Sequence, residues 1–205
     1  MQYTTTNLWH GKDNGIEFEP VALRFGNGEF QAVFSAKNNK SLSETLRHPR
    51  YIKLKDRIIR QYSSFLDWPL GEFVMHLKQN DDAFYRCFLN KYGDSTFCRF
   101  AITDDRYLNK KGLYTYTVER DLRYIGRCKD TFNNRINYGY GQIHPKNCFL
   151  DGQATNCHLN ALIAQCTKGI ALWIHPMTDE KEIEYTEIRL INLYDPPWNI
   201  ALRKG

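Results

Sequence analysis

The sequence predicts an α+β fold: a C-terminal domain with a three-stranded antiparallel sheet flanked by helices, preceded by a smaller α+β N-terminal domain. Three observations carry this expectation. Residues 112–128, GLYTYTVERDLRYIGRC, read as two short strands rich in Tyr, Thr, Val and Ile, joined by the charged residues Glu119, Arg120 and Asp121, which is a hairpin signal. The apolar run ALWIHPM at 171–177 supplies a third strand, with a helix capped near Thr155 or Asn156 before it and another starting after Thr178 and Asp179. Near the N-terminus, IEFEPVALRF and EFQAVFSA flank Gly26, Asn27 and Gly28 and read as a separate hairpin that turns at the glycines.

Within the central hairpin, a turn centred on Arg120 sets Tyr116 opposite Tyr124 and Tyr114 opposite Gly126, all on one face of the sheet. Gly126 has no side chain, so a ligand or another backbone could approach the Tyr114 ring closely. Taken alone, the hairpin reads as an ordinary core hairpin with aromatic cross-strand pairs rather than as one wall of a site.

The N-terminal half continues with a capping box at Ser41 and Glu44 and a longer helix from Pro49. On that helix Ile52, Ile58, Ile59, Tyr62, Phe65 and Leu66 are expected to share one face, and Arg50, Lys53, Arg57 and Arg60 the other. Residues 37–60 hold eight basic side chains against two acidic ones, a local excess larger than the +5 of the whole chain. Such a stripe is either a solvated helix surface or a contact for DNA phosphates, which gives affinity and salt dependence without sequence information. No stretch reaches the length of a membrane span, so no membrane partner is expected. With no basic segment followed by an apolar run at the N-terminus and no CxxC pair among six cysteines, the expectation is a cytoplasmic protein with reduced thiols. The polar stretch at 104–111 marks a domain boundary near 103–110, giving domains 1–105 and 106–205.

After the hairpin, residues 132–138 form a short helix carrying Arg135, followed by a loop rich in glycine, proline and asparagine. In that loop Lys146, Asn147, Gln153 and Asn156 are candidate phosphate or base contacts. His144, Cys148, Cys157 and His158 offer a zinc alternative at the loose spacing H-x3-C-x8-C-H. The last helix has an apolar stripe of Ile183, Leu190, Ile191 and Tyr194, with Glu187 in its middle. An ionised carboxylate facing a core needs a cation or strong donors to offset desolvation, which makes Glu187 the metal-ligand candidate.

These residues together resemble the GIY-YIG nuclease family over roughly 111–200. The resemblance rests on Gly112, Leu113 and Tyr114 for the first triplet, with leucine in place of isoleucine; Tyr124, Ile125 and Gly126 for the second; then Arg135, Glu187 and the terminal Asn199 of the PPWN ending. It implies a metal-dependent endonuclease that hydrolyses DNA phosphodiester bonds. In such an enzyme Tyr114 orients or deprotonates the attacking water, Tyr124 supports it, Arg135 holds the phosphate, and Glu187 binds Mg²⁺ or another divalent cation such as Mn²⁺. The family pattern places a Tyr or His four residues after the arginine, where this chain has Gly139. Tyr138 is the favoured replacement, with Tyr140 and His158 as alternatives. Restriction or another defence or mobile-element role is the leading expectation; a structure-specific repair nuclease and a non-catalytic nucleic-acid-binding module are the alternatives. The sequence sets no oligomeric state.

Overall fold

The structure, a computed structural model, describes residues 9–13 and 15–200. Along the chain these give strands β1 (Lys12–Asp13), β2 (Ile16–Glu17), β3 (Glu19–Val21) and β4 (Arg24–Phe30), then helices α1 (Leu42–Thr45), α2 (Lys55–Gln61) and α3 (Leu70–Gln79). Strand β5 (Phe97–Ala101) and helix α4 (Asp105–Leu108) precede the hairpin of β6 (Gly112–Val118) and β7 (Asp121–Cys128). A π-helix (Asn133–Tyr140), helix α5 (Ala154–Ala164), strand β8 (Ile170–Pro176) and helix α6 (Glu180–Tyr194) complete the order. Mixed α+β architecture with antiparallel sheets agrees with the expected class.

Two compact units are interleaved along the sequence. One gathers the described residues up to Gly28 with Cys98–Gln142 and those from Leu162 onward; the other joins Glu29–Phe97 to Ile143–Ala161. A single break near 103–110 therefore does not describe the division. The physical reason lies in Cys148 and Phe149, which are fully buried in the same apolar cluster as Phe34, Tyr51, Phe73 and Phe88. The segment expected to be a loop offering phosphate or base contacts is stitched into the second unit, with Asn90 N–H donating to the Cys148 carbonyl at 2.9 Å and Leu150 N–H to that of Phe88 at 3.0 Å.

In the first unit the sheet runs β3-β8-β6-β7, antiparallel throughout. The expected three strands are present, and Glu19–Val21 adds a fourth against β8. Alternation sends Leu113 and Ile125 to one face, where they pack with Ile183, Leu190 and Ile191 of α6 around Trp9 and Phe18. Helix α6 starts where expected, with the Asp179 carboxylate accepting from Lys181 and Glu182 N–H at 2.8 Å. Tyr114, Tyr116 and Tyr124 occupy the opposite face.

The hairpin register is the expected one, reached by a different route. Glu119 and Arg120 form a two-residue turn with φ of 51° and 72°, so Val118 pairs with Asp121 and Thr117 with Leu122. Alone, that turn would offset the tyrosines. A bulge on β7 after Leu122 restores Tyr116 opposite Tyr124 and Tyr114 opposite Gly126.

Two N-terminal expectations are corrected. Gly26, Asn27 and Gly28 are not a turn: β4 runs through them and pairs with β5, while Val33–Ala36 is a 3₁₀ turn. The capping box at Ser41 and Glu44 is present, with both reciprocal hydrogen bonds at 2.8 and 3.2 Å. Beyond it the helical face breaks up, since α2 spans Lys55–Gln61 alone, with 3₁₀ turns at Ile52–Leu54 and Ser63–Phe65. A 100° wheel does not hold across that mixture. Ile58 is buried, whereas Ile52 and Ile59 are 57% and 48% exposed.

Candidate active site

Gly112 opens β6 with φ of 145°, a value side chains rarely adopt, and a Cβ there would collide with the His175 carbonyl and lie 2.7 Å from Met177 N. The glycine lets β6 and β8 close together at the start of the strand carrying Tyr114. Gly126 acts differently from the sequence expectation. The space it leaves is filled by the Tyr114 phenol itself, and an added Cβ would strike that phenol and sit 2.6 Å from Tyr124 Cε1. Asn199 fixes the same strand: its side-chain oxygen accepts from Ile125 N–H at 3.0 Å and its amide donates to the Ile125 carbonyl at 2.8 Å. Buried between these groups, Asn199 serves as a third strand edge for β7.

Around Tyr114 the structure gathers a phenol cluster. The Tyr114 and Tyr140 hydroxyls are 2.8 Å apart, Tyr124 and Tyr140 hydroxyls 3.4 Å apart, and Arg135 Nε donates to the Tyr114 oxygen at 3.2 Å. The Arg135 guanidinium lies over the Tyr140 ring, 4.8 Å from its centroid. Phe132 and Tyr116 close the cluster edge-on against Tyr114. Tyr114 and Tyr140 expose no surface, so the half-buried Arg135 is where the cluster reaches outward.

Tyr140 is the residue that the sequence reading passed over in favour of Tyr138. Tyr138 is 63% exposed, whereas Tyr114 and Tyr140 are fully buried. The helix is π-wound, closed by a Gly141 N–H to Ile136 carbonyl bond at 2.7 Å, so Arg135 stacks over the side chain five residues on rather than four. His158 belongs to the other unit, its ring 4.4 Å from that of Tyr92.

Burial pushes the Tyr114 hydroxyl well above the usual phenol range, and the neighbouring Arg135 offsets only part of that rise. Tyr140 is pushed up in the same way. In this arrangement Tyr114 is a neutral phenol at physiological pH, suited to holding a hydrogen-bond partner rather than taking its proton.

Glu187 is buried, as its place in the α6 stripe predicts. Its partner is Arg127, whose Nη1 lies 3.1 Å from Glu187 Oε2 and 3.0 Å from Glu184 Oε1. That buried nitrogen stands within ion-pair range of both carboxylates yet makes no directional hydrogen bond to either. Burial raises the Glu187 carboxyl above 4.5, against the lowering effect of Arg127 and, more weakly, Arg135. Arg127 is opposite Leu113, on the α6 face of the sheet, while Tyr114 and Tyr124 are on the other. Glu187 and the phenol cluster therefore lie on opposite faces of the sheet at the edge strand β7, with Arg135 near enough for its charge to act on the Glu187 carboxyl. Arg127 escaped the sequence reading although it directly follows the YIG triplet; its place two residues after Ile125, on the same strand face, was the available signal.

Glu187, paired with Arg127, is the carboxylate that the sequence offers to a divalent ion. Glu187 presents a hard carboxylate oxygen whose charge is costly to bury, and its arginine partner is not locked by hydrogen-bond geometry. No group of three or more His, Cys, Asp or Glu side chains converges among the described residues. The zinc alternative finds no such convergence: Cys148 and Cys157 sulfurs are 3.9 Å apart in a buried core, while His144 Nδ1 accepts from Lys146 N–H at 3.2 Å.

The predicted DNA-contact residues divide. Lys53, Arg60 and Lys146 are exposed, although Arg60 Nε donates to the Asp56 carbonyl at 3.2 Å. Arg50 donates to the Leu150 carbonyl, and Arg57 lies 4.0 Å over the Phe84 ring while donating to Gln61 at 2.9 Å. Both are exposed like the other three, but these contacts tie their guanidinium groups to the fold. Of the loop candidates, Asn147 caps His144 N–H at 3.1 Å and Asn156 is buried, which leaves Lys146 and Gln153 at the surface. No helix among the described residues is long and apolar enough to cross a membrane.

Comparison of the chain with family models, with curated proteins and with solved structures gives no match.

Proposed function

We propose that the chain is a metal-dependent endonuclease that hydrolyses DNA phosphodiester bonds, of restriction type or from another defence or mobile-element system. The observation that supports it most is the convergence of Arg135 Nε and the Tyr140 hydroxyl on the Tyr114 hydroxyl, at 3.2 and 2.8 Å. These are three of the groups that a phosphoryl-transfer site needs in register. The resemblance of residues 111–200 to GIY-YIG nucleases supports the same reading, with Tyr140 in the role first given to Tyr138.

In this proposal the phosphate meets Arg135 first, because that side chain is the outward member of the cluster. Arg135 exchanges its bond to Tyr114 for charge-assisted bonds to the phosphoryl oxygens, whose growing charge it stabilises. Its departure frees a lone pair on Tyr114, which then orients the attacking water. Tyr140 and Tyr124 hold the phenol in place. The water's proton passes to the surroundings rather than to a phenol whose pKa is raised by burial. Glu187 would hold the divalent ion, which supplies Lewis-acid stabilisation of the phosphoryl and leaving 3′ oxygens.

Plasmid DNA incubated with the protein and Mg²⁺ tests the proposal. Discrete fragments support a restriction nuclease. Cutting confined to branched or single-stranded substrates moves the assignment to a structure-specific repair nuclease, and no cleavage of any DNA across salts and metals refutes the enzyme.

A further inference from the structure

Gly26, within the stretch that fails to make a turn, lines a second feature of the first unit. A pocket of about 450 Å³ is walled by Arg24, Phe25 and Gly26 of β4, by Arg99, Phe100 and Ala101 of β5, and by the end of the π-helix through Asn137, Tyr138, Gly141 and Gln142. Its volume falls in the range of about 300–1,000 Å³ typical of ligand sites. None of these lining residues is acidic, and two are arginines.

Gly26 organises the charged wall. A Cβ there would lie 3.2 Å from the Arg99 Cβ, so the two positions are neighbours on one face of the strand pair. Arg24, two residues before Gly26, is on that face as well. Two exposed guanidinium side chains thus flank a strip of backbone without a side chain, an arrangement that admits a phosphate between them. Phe25 and Phe100 pack 5.8 Å apart on the opposite face of the strand pair and hold it in place, and the Tyr138 ring is exposed at the rim of the pocket. The exposed Gln142 amide offers both a donor and an acceptor.

The floor is fixed before any ligand arrives. Asn137 binds the backbone of Ile102 twice, accepting from its N–H at 2.8 Å and donating to its carbonyl at 3.0 Å. Phe100 N–H donates to the Gly141 carbonyl at 3.1 Å, an approach that a side chain at position 141 would block. Paired bases stack on their neighbours and keep their faces covered, so the Tyr138 ring at the rim stacks on an unpaired base.

We propose that this pocket binds one unpaired nucleotide of a nucleic-acid strand, with Arg24 and Arg99 on its phosphate and Tyr138 against its base. The inference rests on the nuclease reading for its choice of nucleic acid, and it gives that enzyme a subsite on the same π-helix that carries Arg135. Tyr138 then has a place in substrate binding, having none in the phenol cluster.

The test is fluorescence anisotropy on the full chain in the presence of a chelator, which separates binding from cleavage. The probes are a short labelled oligothymidylate, the same strand paired in a duplex, and thymidine 5′-monophosphate as competitor. The Arg24→Ala/Arg99→Ala double variant is expected to weaken single-strand binding about tenfold or more and to reduce its salt slope by about 1. Tyr138→Leu weakens it several-fold, whereas duplex binding changes much less. Arg24→Lys/Arg99→Lys retains most of the salt slope, and unchanged circular dichroism of each variant establishes folding. Equal losses on single strand and duplex, or no loss on either, overturn the subsite; competition by the monophosphate as effective as by the oligonucleotide overturns its assignment to a strand. Cleavage by the unmodified protein is measured separately. A chain that cuts DNA but binds single strands independently of Arg24 and Arg99 loses this inference alone, and one that binds through them but cuts nothing loses the nuclease reading alone.

Discussion

The hydroxyl of Tyr140 sits 2.8 Å from that of Tyr114, on a helix whose π winding brings residue 140 onto the face of Arg135. This contact makes the choice between neighbouring tyrosines a measurable one. Tyr140→Phe should lower the cleavage rate by about 10²-fold, the cost of one hydrogen-bonding group in a preorganised site. Tyr138→Phe, which keeps its exposed ring, should cut duplex DNA at close to the unmodified rate. Single-turnover rates of the two variants decide, and the reverse ranking would return the role to Tyr138.

Gly126→Ala places a methyl group against the Tyr114 phenol and Tyr124 in a fully buried cluster. Overpacking of this kind costs about 1–3 kcal/mol. The urea midpoint should fall accordingly with the slope unchanged; a neutral substitution would mean that the space above Tyr114 is open.

The hairpin register and the burial of Glu187 were legible because both follow from short-range periodicity, period two in a strand and 3.6 in a helix. Even there, the match of Tyr114 to Gly126 depends on a two-residue turn compensated by a bulge, and the residues give no sign of either. Tyr140 was obscured by a helix that departs from the α-helical period. The pairing of β3 with β8 and of β4 with β5 joins residues far apart in sequence, and the burial of Phe149 beside Phe34 does the same; local patterns around Gly26 or Pro145 carry no trace of these partners. The extended reading of the stripe from Ile52 to Leu66 failed because 3₁₀ turns reset the angle between successive side chains.

Glu187 also links pH to stability. Its carboxyl is raised above 4.5 in the fold, so the folded state holds the proton more tightly than the unfolded chain does. Stability from this group is therefore fully present below pH 4.5 and is lost as pH rises through the folded value. Glu187→Gln removes the loss. Without divalent ions the variant should melt higher than the unmodified protein near neutral pH, with the difference vanishing toward pH 4, as thermal scans across pH would record. A gap that widens on acidification would contradict the raised carboxyl.

The basic side chains of the second unit should separate in the same manner. Lys53→Ala, at an exposed position, should flatten the dependence of log K on log salt for duplex DNA by about 0.9 while leaving stability unchanged. Arg57→Ala removes a guanidinium stacked over Phe84, so its main effect should be a lower unfolding midpoint. Titrations at several salt concentrations together with denaturation curves distinguish the two; a Lys53 variant with an unaltered slope would remove this surface from the DNA interface.

The central proposal is that Glu187 and the phenol cluster, on the two faces of edge strand β7, serve one hydrolytic reaction. Its most direct test is the rate at which defined duplex and single-stranded DNAs are cut in Mg²⁺ by the unmodified protein and by Glu187→Ala, with folding of the variant verified by circular dichroism. The account predicts cleavage by the former and a loss of at least about 10²-fold in the latter. An unchanged rate in Glu187→Ala would contradict it.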